Sequence, residues 1–181
     1  MPALRPRHRA SLVPLLLFGL ACAGTQDGAA DSAPRPGVAR DFSLKDLQGR
    51  TVTLSEFADR PAVLLDFWAL WCHPCRTELP QLEALYQTLK DRGFVLLAIN
   101  TDEAAKTAEV RAFVRQRGLT FPVLLDAQTR VVSRYNPSLS LPFAVLLGPG
   151  GTVVRTIEGF QPGEEKALEA EIEALLAGGA G

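Results

Sequence analysis

The chain is poor in cysteine, histidine, tyrosine and methionine, and it has no surplus of positive charge. Its 181 residues include three Cys, two His, two Tyr and one Met. Three cysteines are too few, and odd in number, for a disulfide framework, so folding must rest on an apolar core. A composition that is 47% hydrophobic supplies one. Basic and acidic residues nearly cancel, 19 against 20, which removes the electrostatic footprint of a nucleic-acid binder. No nucleic acid is expected as a partner. A membrane-spanning run is also missing, because the most apolar stretch, Leu12 to Leu20, falls short of the ~20 residues needed and contains Pro14 and Gly19. With His8 near the start and His73 as the other histidine, a zinc site would lack ligands in the folded part. No metal is expected.

What the N-terminus does contain is the pattern of an export signal over residues 1–22. Arg5, Arg7, His8 and Arg9 precede the apolar stretch, and no acidic residue occurs before Asp27. Cys22 ends this segment in Gly19-Leu20-Ala21-Cys22, which resembles a bacterial lipoprotein signal whose cysteine is acylated. The alternative is cleavage at Ala21-Cys22-Ala23, which would discard the cysteine. Residues 23–37 are mostly Gly, Ala, Ser, Asp and Pro and read as a flexible tether. A single folded domain is expected over residues 38–178.

Within that domain strand and helix patterns alternate. Ala62 to Trp68 is almost uninterruptedly apolar, as a central strand buried on both faces must be. Leu79, Leu82, Leu85, Tyr86 and Leu89 then repeat at helical spacing up to Gly93. Phe94 to Asn100 reads as a strand, Asp102 to Arg117 as a helix stopped by Gly118, and Phe121 to Leu125 as a strand. This series predicts a parallel sheet with helices on both faces. Phe143 to Leu147 and Thr152 to Glu158 flank Gly148-Pro149-Gly150-Gly151, the signature of an antiparallel hairpin, and a last helix carries Leu168, Ile172, Leu175 and Leu176 on one face. The expected fold class is α/β, with parallel strands ending in an antiparallel hairpin and flanked by helices.

The chemistry lies just after the central strand, in Trp71-Cys72-His73-Pro74-Cys75. Cysteines at i and i+3 at a helix start are close enough to form and break a disulfide with little backbone movement. Unpaired N–H groups and the positive end of the helix dipole favour a thiolate at Cys72, which makes it the expected attacking sulfur. Pro74 suits the first helical turn, where its missing N–H costs nothing. As a structural staple a bridge around two residues would be the least useful available, since loop-closure stabilisation grows with loop length. A redox-active dithiol, needing no cofactor, is the expected reading.

The motif, with Phe67-Trp68-Ala69 before it and Arg76, Glu78 and Pro80 after it, resembles the TlpA/ResA group of bacterial thiol-disulfide oxidoreductases. Phe42-Ser43-Leu44, Gly49 and Phe121-Pro122-Val123-Leu124-Leu125-Asp126 extend the likeness across the folded part. The resemblance implies a thioredoxin-like fold, a tethered, extracytoplasmic location in the cell envelope, and exchange of disulfides with protein substrates such as apocytochromes c. It implies a membrane redox partner that recharges the dithiol, and a monomer is expected. It also implies that Pro142 is a cis-proline facing the dithiol, although a trans proline opening a strand fits the sequence too. Trp71, His73, Pro74 and Pro142 would then frame the substrate.

Two carboxylates complete the candidate site. Glu78, one turn beyond Cys75, matches the group's active-site glutamate, with a solvated helix residue as the alternative. Asp66 interrupts the apolar strand and stands where thioredoxins carry an aspartate that accepts a proton from the resolving cysteine; alternatively it reaches water at the strand end. His73, if protonated beside the thiolate, would stabilise it. Two rival functions fit less well: a peroxiredoxin-like peroxidase would need Thr or Ser where Ala69 stands, and a metal-delivery module would need wider cysteine spacing and a distal histidine. A non-catalytic interaction domain would leave the dithiol inert.

Overall fold

The computed structural model describes residues 37–159, 161 and 163–179. The export signal, Cys22 and residues 23–36 of the tether lie outside the described residues. Among the described residues no helix is long and apolar enough to cross a membrane.

Strand order follows from burial. β3 (Ala62–Trp68) is buried at every position and sits in the interior of the sheet, parallel to β4 (Phe94–Asn100) and antiparallel to β6 (Phe143–Leu147). Beyond β4 lies β5 (Val123–Leu125), parallel to it, and beyond β6 lies β7 (Val153–Glu158), its hairpin partner. β1 (Ser43–Asp46) pairs antiparallel with β5 and with β2 (Thr51–Thr53), so the order is β2-β1-β5-β4-β3-β6-β7. The sheet is therefore parallel at its centre and antiparallel at both edges, not at the hairpin edge alone. β1 is too short and too polar to announce itself by periodicity.

The helices are not shared evenly between the two faces. α1 (His73–Leu89), α2 (Thr107–Arg117) and α4 (Glu164–Gly178) contribute Leu79, Leu82, Val110, Val114, Leu168 and Ile172 to a single cluster with Leu64, Trp68, Leu96 and Leu146. The chain steps from β3 to β4 to β5 in one direction, and two right-handed crossovers taken in the same direction land on the same face. The opposite face, Val63, Leu65, Phe67, Leu97 and Ile99, is closed by lighter pieces. These are Phe42, Leu54 at the start of a short helical turn, and Val132 in α3 (Val132–Tyr135), a one-turn helix with no clear sequence signal.

Helix ends obey local chemistry. Gly118 closes α2 at φ 64°, a left-handed conformation that side chains resist. The expected helix from Asp102 begins only at Thr107, after a separate turn at Ala104–Lys106. Pro80 lies inside α1 and cannot offer an N–H to the carbonyl four residues back.

Ile172 is fully buried where α4 meets this core, whereas Val154 is 47% exposed. Ile172→Ala should lower the unfolding free energy by about 2–5 kcal/mol in urea titrations, and Val154→Thr should change it by less than about 0.5 kcal/mol. Equal effects would mean that α4 does not seal the core.

Candidate active site

The site is built where β3 gives way to α1. Cys72 is the N-cap of α1 in extended conformation, and its Sγ accepts the N–H of Cys75 at 3.2 Å. The first helical bond, Arg76 N–H to the Cys72 carbonyl at 3.2 Å, starts from the same residue. Cys72 and Cys75 are joined by a disulfide with Cα atoms 5.3 Å apart. The i, i+3 spacing thus places both sulfurs together at a helix N-terminus. In this disulfide-bonded state the two cysteines are almost equally buried, with Cys72 3% and Cys75 1% exposed.

Around the dithiol, Trp71 is 69% exposed, and His73 and Pro74 are exposed in the first turn. The Leu141–Pro142 peptide bond is cis and Pro142 is buried. It enters β6 beside the end of β3, since Phe143 is registered with Phe67. The structure therefore brings the loops bearing Trp71 and Pro142 to one end of the sheet. Arg76 Nη2 lies 3.4 Å from His73 Nδ1, so a guanidinium adjoins the histidine of the motif.

Asp66 does not reach water. It lies on the same face of β3 as Leu64 and Trp68, beneath α1, and is 1% exposed. The residues registered with it on both neighbouring strands are alanines, Ala98 and Ala144, whose small side chains leave room for a carboxyl group. Neither of its oxygens has a hydrogen-bond partner among the described residues. Burial alone therefore pushes its pKa well above the carboxylate range. Glu78 is likewise buried rather than solvated, with Oε2 unpartnered, and its pKa is pushed up first by burial and then by the charges of Asp66 and Glu164. The two carboxyl groups are thus electrostatic neighbours under the helix that carries the cysteines.

Asp46 supplies the contrast. It is 3% exposed, and burial raises its pKa, but bonds from the Arg50 side chain and from the backbone N–H groups of Arg50 and Gln48 outweigh burial, so its pKa falls. Asp46, near the surface, has donors, whereas Asp66, deep in the sheet, has none and incurs a larger desolvation cost, so the two carboxyl groups move oppositely.

Two residues that carry no motif also shape the site. Asn100 and Asp102, at the end of β4, bond to one another, and Asp102 reaches the backbone of Leu70 just before the motif. Their sequence signal is polarity at the end of a strand that is otherwise apolar.

This arrangement, a Cys-x-x-Cys pair capping a helix that follows a central strand, with a cis-proline loop beside it, defines a thioredoxin-like protein. The AhpC/TSA family model matches residues 37–156, and the chain belongs to that family. Among its relatives, the thiol-disulfide oxidoreductase ResA of Geobacillus kaustophilus is 36% identical over 137 residues, covering 76% of this chain and 75% of that protein. ResA of Bacillus subtilis is 36% identical over 121 residues, 67% of this chain and 65% of the relative. A Chlorobium tepidum structure provisionally described as thiol:disulfide interchange protein DsbE superposes with a TM-score of 0.70 at 34% identity, covering 80% of this chain and 99% of that one. The chain is a protein-disulfide oxidoreductase.

The raised pKa values of Asp66 and Glu78 have a cost that depends on pH. Protons held by the native state and released on unfolding make stability fall as pH climbs from the ordinary carboxylate range near 4 towards the folded values. Wild-type stability should therefore decline between about pH 4 and pH 8, and Asp66→Asn should flatten the decline and gain about 1–3 kcal/mol at pH 8. Denaturant titrations across pH provide the check; parallel pH profiles would mean that Asp66 is charged and stabilised in the fold.

Proposed function

We propose that this protein is a membrane-tethered, extracytoplasmic oxidoreductase that exchanges disulfides with exported proteins, in the manner of the ResA group. Carrying this reading is the Cys72–Cys75 disulfide at the N-terminus of α1, in a chain with 36% identity to a thiol-disulfide oxidoreductase. In the reducing direction, the Cys72 thiolate attacks one sulfur of a substrate disulfide. That bond breaks, a mixed disulfide forms, and the other substrate sulfur leaves as a thiolate. Cys75 then loses its proton, its sulfur attacks Cys72 Sγ, and the second substrate thiolate departs as the Cys72–Cys75 bond closes. Two electrons pass to the substrate, and a membrane redox partner supplies two more that reduce the Cys72–Cys75 disulfide back to the dithiol.

Each side chain has a place in this sequence. Helix N–H groups and the dipole lower the cost of charge on Cys72. Asp66, buried on β3, takes up the proton that Cys75 must release, a task suited to a carboxyl group pushed up to about 7, and Glu78 on α1, its electrostatic neighbour, influences the protonation of Cys75. Trp71, His73, Pro74 and Pro142 present the surface on which an extended substrate segment lies. Cys22, by its place after the signal, is the anchor point for a lipid, and residues 23–37 give the domain reach. Apocytochromes c are the substrate class that the ResA resemblance suggests.

In the full chain, Cys75→Ser should accumulate mixed disulfides with protein substrates, visible on non-reducing gels, while Cys72→Ser should not. Both should lose insulin reduction by at least about 100-fold. Equal trapping by the two variants would show that the roles of the sulfurs are reversed or shared.

A further inference from the structure

Between the end of β3 and Cys72 the chain crosses three residues, Ala69 to Trp71, that belong to neither sheet nor helix. Leaving a strand removes the ladder partner of each N–H, and an N–H without an acceptor in a buried site is costly. Leu70 N–H is satisfied from 32 residues away, donating to Asp102 Oδ2 at 2.7 Å. The same oxygen accepts Asn100 Nδ2 at 2.8 Å, and Asn100 Oδ1 accepts the Asp102 N–H at 3.2 Å. Asn100 and Asp102 are 1% and 8% exposed, so the pair works away from bulk water. Two further bonds tie down the same stretch: Thr101 N–H to the Trp68 carbonyl at 2.9 Å, and Cys72 N–H to the Ala69 carbonyl at 3.1 Å.

An aspartate just before a helical segment would ordinarily be read as a helix cap. Here the residue before the turn at Ala104–Lys106 is Glu103, the residue before α2 is Lys106, and neither position has a side-chain cap bond. The carboxylate of Asp102 is turned the other way, towards the approach to Cys72. In the oxidised protein the sulfur of Cys72 is also held covalently through Cys75, which lies within α1. Reduction removes that anchor, and the loop then depends on its hydrogen bonds.

We propose that Asp102, oriented by Asn100, is a positioning residue that holds the Ala69–Trp71 loop so that Cys72 keeps its place at the N-terminus of α1 when the dithiol is reduced. The inference rests on Cys72 being the attacking sulfur. It makes a prediction of sign. By charge alone, a carboxylate near Cys72 opposes the thiolate, so removing it would make Cys72 more reactive. By position, removing the acceptor lets Cys72 drift from the helix N–H groups, and reactivity falls.

The test measures iodoacetamide alkylation of the reduced full chain from pH 5 to 10, with mass spectrometry locating the modified cysteine. Asp102→Ala should slow alkylation of Cys72 at pH 7 by about 10-fold and move its titration towards the free-thiol value of ~8.5. Asp102→Asn, which keeps an oxygen acceptor and discards the charge, should recover most of the lost rate. A folded Asp102→Ala protein that alkylates as fast as wild type, or faster, overturns the proposal, as does an Asp102→Asn variant as slow as Asp102→Ala. Should Asp102→Ala fail to fold, Asn100→Ala leaves the carboxylate in place but frees it, and should slow Cys72 a few-fold; a wild-type rate there overturns the proposal too. Preferential alkylation of Cys75 in the wild-type chain would instead remove the nucleophile assignment beneath it.

Discussion

Everything at the active site depends on one junction, where a fully buried strand must turn directly into a helix. β3 ends at Trp68, and within four residues Cys72 caps α1, accepting the Cys75 N–H on its sulfur. An N-cap is defined by an acceptor facing the first unpaired N–H groups, and a thiolate is a better acceptor than a thiol. The geometry that starts the helix is therefore the geometry that favours charge on Cys72. Because the cap and Cys75 are one turn apart, the same junction brings the second sulfur within bonding distance. Fold and chemistry share a single constraint.

The carboxyl groups beneath that junction are its electrostatic counterpart. A buried carboxyl without donors is a liability in a structural core, as the contrast with Asp46 makes clear, and an apolar residue at position 66 would pack more cheaply. Asp66 is instead accommodated between Ala98 and Ala144, under the helix that bears the cysteines and beside Glu78. Reducing a disulfide requires protons as well as electrons, and a carboxyl group pushed up to about 7, as Asp66 is, can take up and return them near neutral pH. Stability given up at two positions is consistent with a site selected for exchange.

Much of this was legible in the sequence. The extent of β3 and β4 follows from their apolar runs, the hairpin from Gly148-Pro149-Gly150-Gly151, and the dithiol from its spacing. Non-local pairings were not. β1 is a four-residue strand with three polar residues that pairs with β5 across the sheet, and α3 is a single turn held by its contacts with the sheet. The lopsided placement of α1, α2 and α4 required the strand order, which periodicity does not carry. Burial of Glu78 depended on α4 lying near α1, and the bond from Leu70 to Asp102 joins residues 32 apart.

The central claim is that Cys72 and Cys75 form one reversible two-electron centre. It is tested most directly by equilibrating the full chain with graded ratios of reduced to oxidised dithiothreitol and quantifying both thiols by alkylation and mass spectrometry. The account predicts one reversible transition with a two-electron slope, about 30 mV per tenfold change in ratio, in which Cys72 and Cys75 appear and disappear together. Thiols that titrate independently, or a disulfide that opens only when the protein unfolds, would contradict it.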